Sequence, residues 1–211
     1  DFTHTLYEDA KRRDFTINAL YLDEKGNLID PFDGYKDIIN KKLRFIGDPV
    51  SRIEEDYLRI LRFCRFYGTL HIIDIEKNLK EKIIKKANKI SILSNVRIRN
   101  ELHKILMVTN FELCLSMLIT LELDKYILKK INKSNKINKH AGFKTKDFKI
   151  VNYIKTYGLN IINSEKLDLI STIMPHLYNL ENFDLIIKRF ELNKRKIKYL
   201  NFIKQLKNNE L

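Results

Sequence analysis

Apolar residues recur at spacings of three and four through most of this 211-residue chain, the period of an amphipathic helix. Leu79, Ile83, Ile84 and Ala87 form one such face, Ile98, Leu102, Ile105 and Leu106 a second, and Phe111, Leu115, Leu118 and Ile119 a third. Phe148, Val151 and Ile154, then Leu167, Ile170 and Met174, continue the pattern, with Ser164 as an N-cap and Pro175 as a stop. Phe183, Ile186, Ile187 and Phe190 precede a last amphipathic stretch through Ile197, Leu200, Ile203 and Leu206. The first 50 residues differ, holding two of the three prolines and three of the six glycines. There, Glu8 to Leu20 reads as a helix, and "ALYLDEKGNLIDPF" as two short strands around Gly26-Asn27. Gly34 to Asn40 reads as another helix and "KLRFIG" as a strand. The pattern predicts a mostly α fold with a small α/β N-terminal portion over residues 1–50. A helical unit over 51–124 and a basic helical unit over 125–211 follow, with no fixed-period repeat.

Within this pattern, "EDYLRILRFCRF" (residues 55–66) is expected to place Asp56, Arg59, Arg62 and Arg65 along one helix edge. Leu58, Leu61, Phe63, Cys64 and Phe66 are expected to face the core. Glu55 and Asp56 lie one turn before Arg59, whereas Arg62 and Arg65 have no acid nearby in sequence. Adjacent guanidinium groups repel one another unless an anion or a partner face meets them, and a triphosphate would satisfy Arg62 and Arg65 by charge-assisted contacts. Asp56 and Arg59 allow something narrower. A carboxylate accepts from an exocyclic amino group and a guanidinium donates to a ring nitrogen or carbonyl, a pairing that suits cytosine and adenine. Uracil and guanine present a carbonyl instead, and such discrimination is worth about 1–3 kcal/mol per contact. An intrahelical salt bridge on a surface helix is the plainer alternative. "DAKRRDFTINAL" (residues 9–20) carries Arg12, Arg13, Asp14 and Asn18 ahead of an apolar run. It reads either as a solvated helix end or as an anion and sugar contact, with Asp14 accepting a sugar hydroxyl and Arg13 facing a phosphate or base.

Composition changes this picture only in part. The formal charge of +13 suits a polyanionic partner, although a Lys-, Ile- and Asn-rich chain acquires such charge from coding bias alone. Residues 125–149 hold nine lysines and one acid, Asp147, which fits a solvated connection or a phosphate-tracking surface. Cys64 and Cys114, both in apolar stretches, read as buried free thiols of a reducing cytoplasm. No apolar run approaches the roughly 20 residues that span a membrane, and no leader is visible, so no membrane partner is expected.

The stretch from Asp9 to Phe66 also resembles a known family, the bacterial-type (class II) CCA-adding tRNA nucleotidyltransferases and the related bacterial poly(A) polymerases. "RRDFTINAL" is similar to the family's sugar-recognition motif, Asp30 to Asp37 ("DPFDGYKD") to its segment joining head and neck, and "EDYLR" with Arg62 and Arg65 to its nucleotide-reading motif. The resemblance implies the end of a nucleotidyltransferase head followed by a helical neck, body and tail. It implies template-independent addition of CMP and AMP to tRNA 3′ ends in the cytoplasm, with tRNA, CTP and ATP as partners. Poly(A) synthesis, or a non-catalytic or degenerate RNA-binding fragment, is the alternative. Carried over by position, it implies that Asp56 and Arg59 read the base and that Arg62, Arg65 and Arg13 contact the nucleotide; Asp14 and Asn18 complete the expected nucleotide-binding set through the sugar contact read above. "SNVRIRNEL" departs from the family pattern S-x-E-R-I-x-x-E-L at Val96. The family's two Mg²⁺ ions are held by a Gly-rich, D-x-D segment expected before residue 1. Asp74-Ile75-Glu76 and Glu122-Leu123-Asp124 follow no Gly-rich loop and read as structural acids. No catalytic or metal residue is therefore expected here, and an upstream polypeptide bearing D-x-D is a further expected partner.

Overall fold

The computed structural model describes residues 6–72, 75–127 and 183–207. Helix α1 (Leu6–Arg12) opens it, followed by a single 3-10 turn at Thr16–Asn18. Strands β1 (Tyr21–Leu22) and β2 (Leu28–Ile29) pair antiparallel, with Tyr21 opposite Ile29. Asp23 closes their turn by accepting the Lys25 and Asn27 backbone N–H groups at 2.9 and 2.7 Å, and Gly26 takes the positive φ of 82° that the turn requires.

The expected helix from Glu8 to Leu20 stops at Arg12. Phe15 is extended (φ −120°, ψ 150°) and forms an isolated antiparallel bridge with Phe45. Burying that ring outweighs continuing the helix. The same bridge is all that forms of the strand expected at "KLRFIG". Helix α2 (Gly34–Ile39) begins where Asp30 accepts the Gly34 and Tyr35 N–H groups at 2.8 and 2.9 Å. A Cβ on Gly34 would sit 2.3 Å from the Thr16 carbonyl oxygen, so Gly34→Ala should lower stability by about 1–3 kcal/mol in urea unfolding. An unchanged midpoint would contradict that contact.

Helix α3 (Pro49–Glu55) starts on Asp48, whose carboxylate accepts the Ser51 N–H at 2.9 Å with Pro49 in the first turn. It is followed by α4 (Leu58–Thr69), α5 (Lys77–Lys86), a 3-10 stretch Ala87–Ile92, α6 (Asn95–Met107), α7 (Phe111–Thr120) and α8 (Asp124–Ile127). Next among the described residues are α9 (Phe183–Phe190) and α10 (Lys194–Lys207). The elements expected between Phe148 and Pro175 lie outside the described residues.

One buried cluster runs from Phe15 to Leu200, and α4 lies at its centre with Ile60, Leu61, Phe63, Cys64 and Tyr67 buried. Leu58 and Phe66 are only partly buried against it. Gly68 lets α7 close onto α4, since a Cβ there would fall 2.3 Å from Cys114 Sγ and 2.9 Å from the Asn110 carbonyl oxygen. Cys64 and Cys114 are buried and unbridged, and burial pushes the Cys64 thiol well above its ordinary value. No helix of the described residues is long and apolar enough to cross a membrane.

Candidate nucleotide-binding cleft

The break between α3 and α4 creates the site. Asp56 does not lie on the α4 edge with the arginines, as its spacing suggested, but between the two helices in an extended conformation (φ −155°, ψ 105°). Its Oδ1 accepts the Leu58 N–H at 3.0 Å, a local bond that Asp offers in competition with helix continuation. Its Oδ2 accepts from Arg97 Nη2 on α6 at 2.7 Å.

Each arginine of the α4 edge meets a carboxylate of its own. Arg59 pairs with Glu55 at 2.6 Å, Arg62 with Asp14 at 2.5 Å and Arg65 with Glu101 at 2.6 Å. The edge is therefore charge-paired rather than a bare anion patch. Arg59 also donates through Nη1 to the Arg52 carbonyl at 2.7 Å and through Nη2 to the Arg12 carbonyl at 3.3 Å. Of its five donors, Nε–H and one Nη2–H have no partner among the described residues.

Asp14 is 5% exposed and holds the Asn18 amide at 2.8 Å on Oδ1 while Arg62 occupies Oδ2. Burial pulls its pKa up, but the hydrogen bonds from Arg62 and Asn18 outweigh that and hold it below the ordinary carboxylate value. A depressed carboxylate stabilises the fold fully above its unfolded value of about 4, and that contribution is lost as pH falls through the folded value. Asp14→Asn should therefore flatten the decline of the urea midpoint below about pH 4. An identical decline in both proteins would count against the Asp14–Arg62 pair. Arg13 is held by Asp9 (Nε 3.0 Å, Nη2 2.8 Å) and by the Asn18 carbonyl (Nη1 3.2 Å), over the Tyr21 ring.

Six of the seven residues expected at the site, Arg13, Asp14, Asn18, Asp56, Arg59 and Arg62, line one open cleft of about 450 Å³, together with Leu58. Arg65 does not line it. Its side chain is 16% exposed and lies between Glu101 and the Phe66 ring, 4.2 Å from the centroid. A larger cavity of about 550 Å³ between Leu43, Phe45, Phe63 and Leu79 shares no residue with this set.

A family model described as "Poly A polymerase head domain" matches residues 1–44, and one described as "Probable RNA and SrmB- binding site of polymerase A" matches residues 73–134. A CCA-adding enzyme of Lactococcus lactis subsp. cremoris is 32% identical over 206 residues, which cover 88% of this chain and 49% of that relative. The human mitochondrial CCA tRNA nucleotidyltransferase 1 is 39% identical over 153 residues, covering 69% of this chain and 35% of the relative. The chain belongs to the CCA-adding enzyme and poly(A) polymerase family. It spans about half or less of the length of these curated relatives. The CCA-adding enzyme of Bacillus stearothermophilus, solved in complex with CTP, shares the fold with a TM-score of 0.71 at 23% identity, covering 99% of this chain and 49% of that one.

Three further residues matter to this cleft in a CCA-adding and poly(A) polymerase family chain: Arg52 escaped the sequence pattern, whereas Arg97 and Glu101 stand at the retained positions of S-x-E-R-I-x-x-E-L, a pattern that did not reveal their partners. Arg52 joins the Arg13 carbonyl to Glu55, both at 2.5 Å. Arg97 and Glu101 reach the cleft region from α6, at separations of 41 and 36 residues from their partners. Val96, where the family pattern has glutamate, is 56% exposed, and Arg97 and Glu101 make their contacts without it. Among the described residues no three or more His, Cys, Asp or Glu side chains gather as a metal site. Glu122 pairs with Lys125 at 2.9 Å, and Asp124 is buried at the start of α8.

Proposed function

We propose that this chain supplies nucleotide selection and RNA binding to a template-independent nucleotidyltransferase that adds CMP and AMP to tRNA 3′ ends. The observation that carries the reading is that Asp56 and Arg59 line one cleft together. Each Asp56 oxygen has one fixed partner, which leaves acceptor sites for an exocyclic amino group. Arg59 keeps two donors for a ring nitrogen and its neighbouring carbonyl. Together they match the Watson–Crick edge of cytosine, and of adenine at its amino group and ring nitrogen. Arg62, whose four Nη hydrogens have no partner among the described residues, faces the triphosphate in this reading, with Arg13, Asp14 and Asn18 at the sugar side. Arg65 acts from behind, keeping Phe66 and α6 in place.

Relatives named as CCA-adding enzymes support the assignment, as do solved relatives described with CTP, with ATP and with tRNA. Magnesium belongs to the proposed complete enzyme, where it would polarise the phosphoryl group. The described residues do not fit it, and the proposal puts its D-x-D carboxylates outside these 211 residues, in the same polypeptide or in a separate one. A cytoplasmic location is part of the reading, in keeping with two unbridged buried thiols.

Calorimetric titration of the chain with CTP, ATP, UTP and GTP tests the base-reading step. CTP and ATP should bind in preference, and Asp56→Ala should reduce that preference by about 10- to 100-fold, the equivalent of about 1–3 kcal/mol. Equal affinity for all four nucleotides would sink the reading. Combined with a metal-bearing head, the chain should incorporate label from CTP into tRNA that lacks its CCA end. Incorporation from ATP alone would point to poly(A) synthesis instead.

A further inference from the structure

The cavity of about 550 Å³ lies apart from the nucleotide cleft, between the segment after α2, α4 and the start of α5. Its walls are apolar and packed. Leu43, Phe45, Phe63 and Ile72 are each at most 9% exposed, and the Phe45 and Phe63 rings lie parallel with centroids 6.0 Å apart. Leu79 of α5 completes the apolar side. Such walls give water few hydrogen-bond partners, so an apolar group that displaces it gains burial without breaking bonds. The volume is in the range of small-molecule sites. The mouth has the opposite character. Lys41 and Lys42 are exposed there, Lys82 joins them from α5, and Glu76 is the one acid among the described lining residues. Arg44 also lines the cavity, but its guanidinium is committed to Asp37 at 2.8 Å and to the Phe32 carbonyl at 3.0 Å. Lys82 lies within electrostatic reach of Asp48. The Lys41 and Lys42 ammonium groups have no hydrogen-bond or ion partner among the described residues. Lys41 also has a φ of 52°, in the left-handed turn closing α2 that glycine fills more cheaply. The chain thus keeps a cation at the mouth at a cost in backbone strain.

We infer that this cavity is a second binding site, for an amphipathic monocarboxylate whose apolar tail sits between Phe45, Phe63 and Leu79 and whose head meets Lys41 and Lys42. The two lysines are point charges without a planar fork to match, which suits a single carboxylate at the mouth. A neutral tail forgoes these cations, and a cationic head is repelled by them. A small anion without a tail leaves the apolar walls wet.

Calorimetric titration of the full 211-residue chain with decanoate, alongside thermal melts of each variant, tests the site. Decanoate should bind saturably, once per chain, with decanol weaker and decyltrimethylammonium weaker still. Octanoate and hexanoate should lose about fourfold in affinity for each methylene removed. Lys41→Gly relieves the strained φ and removes one cation, and should weaken decanoate about two- to fivefold without lowering the melting temperature. Lys25→Ser, on the turn between β1 and β2 and not a lining residue, should leave the affinity unchanged. Leu79→Trp, which fills the cavity, should abolish binding. If that variant fails to melt cooperatively, Leu79→Phe carries the same comparison with a partial loss. No binding of decanoate would overturn the inference. So would unsaturable binding, or equal losses in Lys25→Ser and Lys41→Gly, because the general charge of +13 would then be collecting the anion. Decyltrimethylammonium binding as tightly as decanoate, or full decanoate affinity in a folded Leu79→Trp chain, would overturn it as well.

Discussion

Replacing Glu101 by alanine is expected to destabilise the fold by about 3–5 kcal/mol, the cost of breaking a buried ion pair from one side. Glu101 is 2% exposed on α6, and its Oε1 accepts from Arg65 Nε at 2.6 Å. Lys104, 57% exposed, is 3.6 Å from the other oxygen and screens rather than pairs. Removing the carboxylate leaves the Arg65 guanidinium, 16% exposed, with the Phe66 ring as its remaining contact among the described residues. That ring attracts a cation by about 0.5–2 kcal/mol, too little to replace a carboxylate. Had the pair been on the surface, the loss would be about 0–1 kcal/mol, so the two cases are separable. Urea unfolding at constant slope measures it, and a loss below about 1 kcal/mol would show that Arg65 finds water instead. Glu101→Gln, which keeps the acceptor, should lose less than alanine.

Phe15→Ala should lose a similar amount, about 3–5 kcal/mol, for a different reason. The ring is fully buried, with centroids 4.7 Å from Phe45, 5.5 Å from Phe66 and 6.2 Å from Phe63. It joins the N-terminal α/β portion to α4, and its loss would leave a cavity between the Phe45, Phe63 and Phe66 rings. Its effect should reach the cleft as well. Asp14 is next in sequence and its carbonyl accepts the Ile46 N–H at 3.0 Å, so loosening the Phe15 bridge releases the carboxylate that holds Arg62. Weaker CTP binding should accompany the lost stability, whereas Phe15→Leu should retain most of both. Full CTP affinity in a folded Phe15→Ala chain would show that the cleft does not depend on this anchor.

These two residues also mark how far the sequence could be read. The three-four spacing of Ile98, Leu102, Ile105 and Leu106 was enough to place α6 and its buried face, because periodicity reports directly on which side meets the core. The same spacing misplaced Asp56, where a local side-chain bond to Leu58 N–H interrupts the helix that the pattern implied. "RRDFTINAL" was expected to continue α1, yet Phe15 pairs with Phe45, thirty residues away. Local propensity cannot register a partner at that distance. For the same reason Arg62 and Arg65 looked unpaired: Asp14 and Glu101 are 48 and 36 residues from them. The residue types of the cleft were legible, six of them meeting in space. Apart from Glu55 one turn before Arg59, what each side chain is held by was not.

The three paired arginines have a mechanical consequence for α4. Their carboxylates arrive from α3, from the segment after α1 and from α6, so the helix is gripped from three directions. Turning α4 by one residue would swing each guanidinium by about 100° and strand Asp14 and Glu101 as buried charges. Sliding it along its axis is blocked separately, because only Gly68 fits against Cys114 and the Asn110 carbonyl. The helix thus sits like a keyed shaft, with charge setting its rotation and one missing methyl setting its depth.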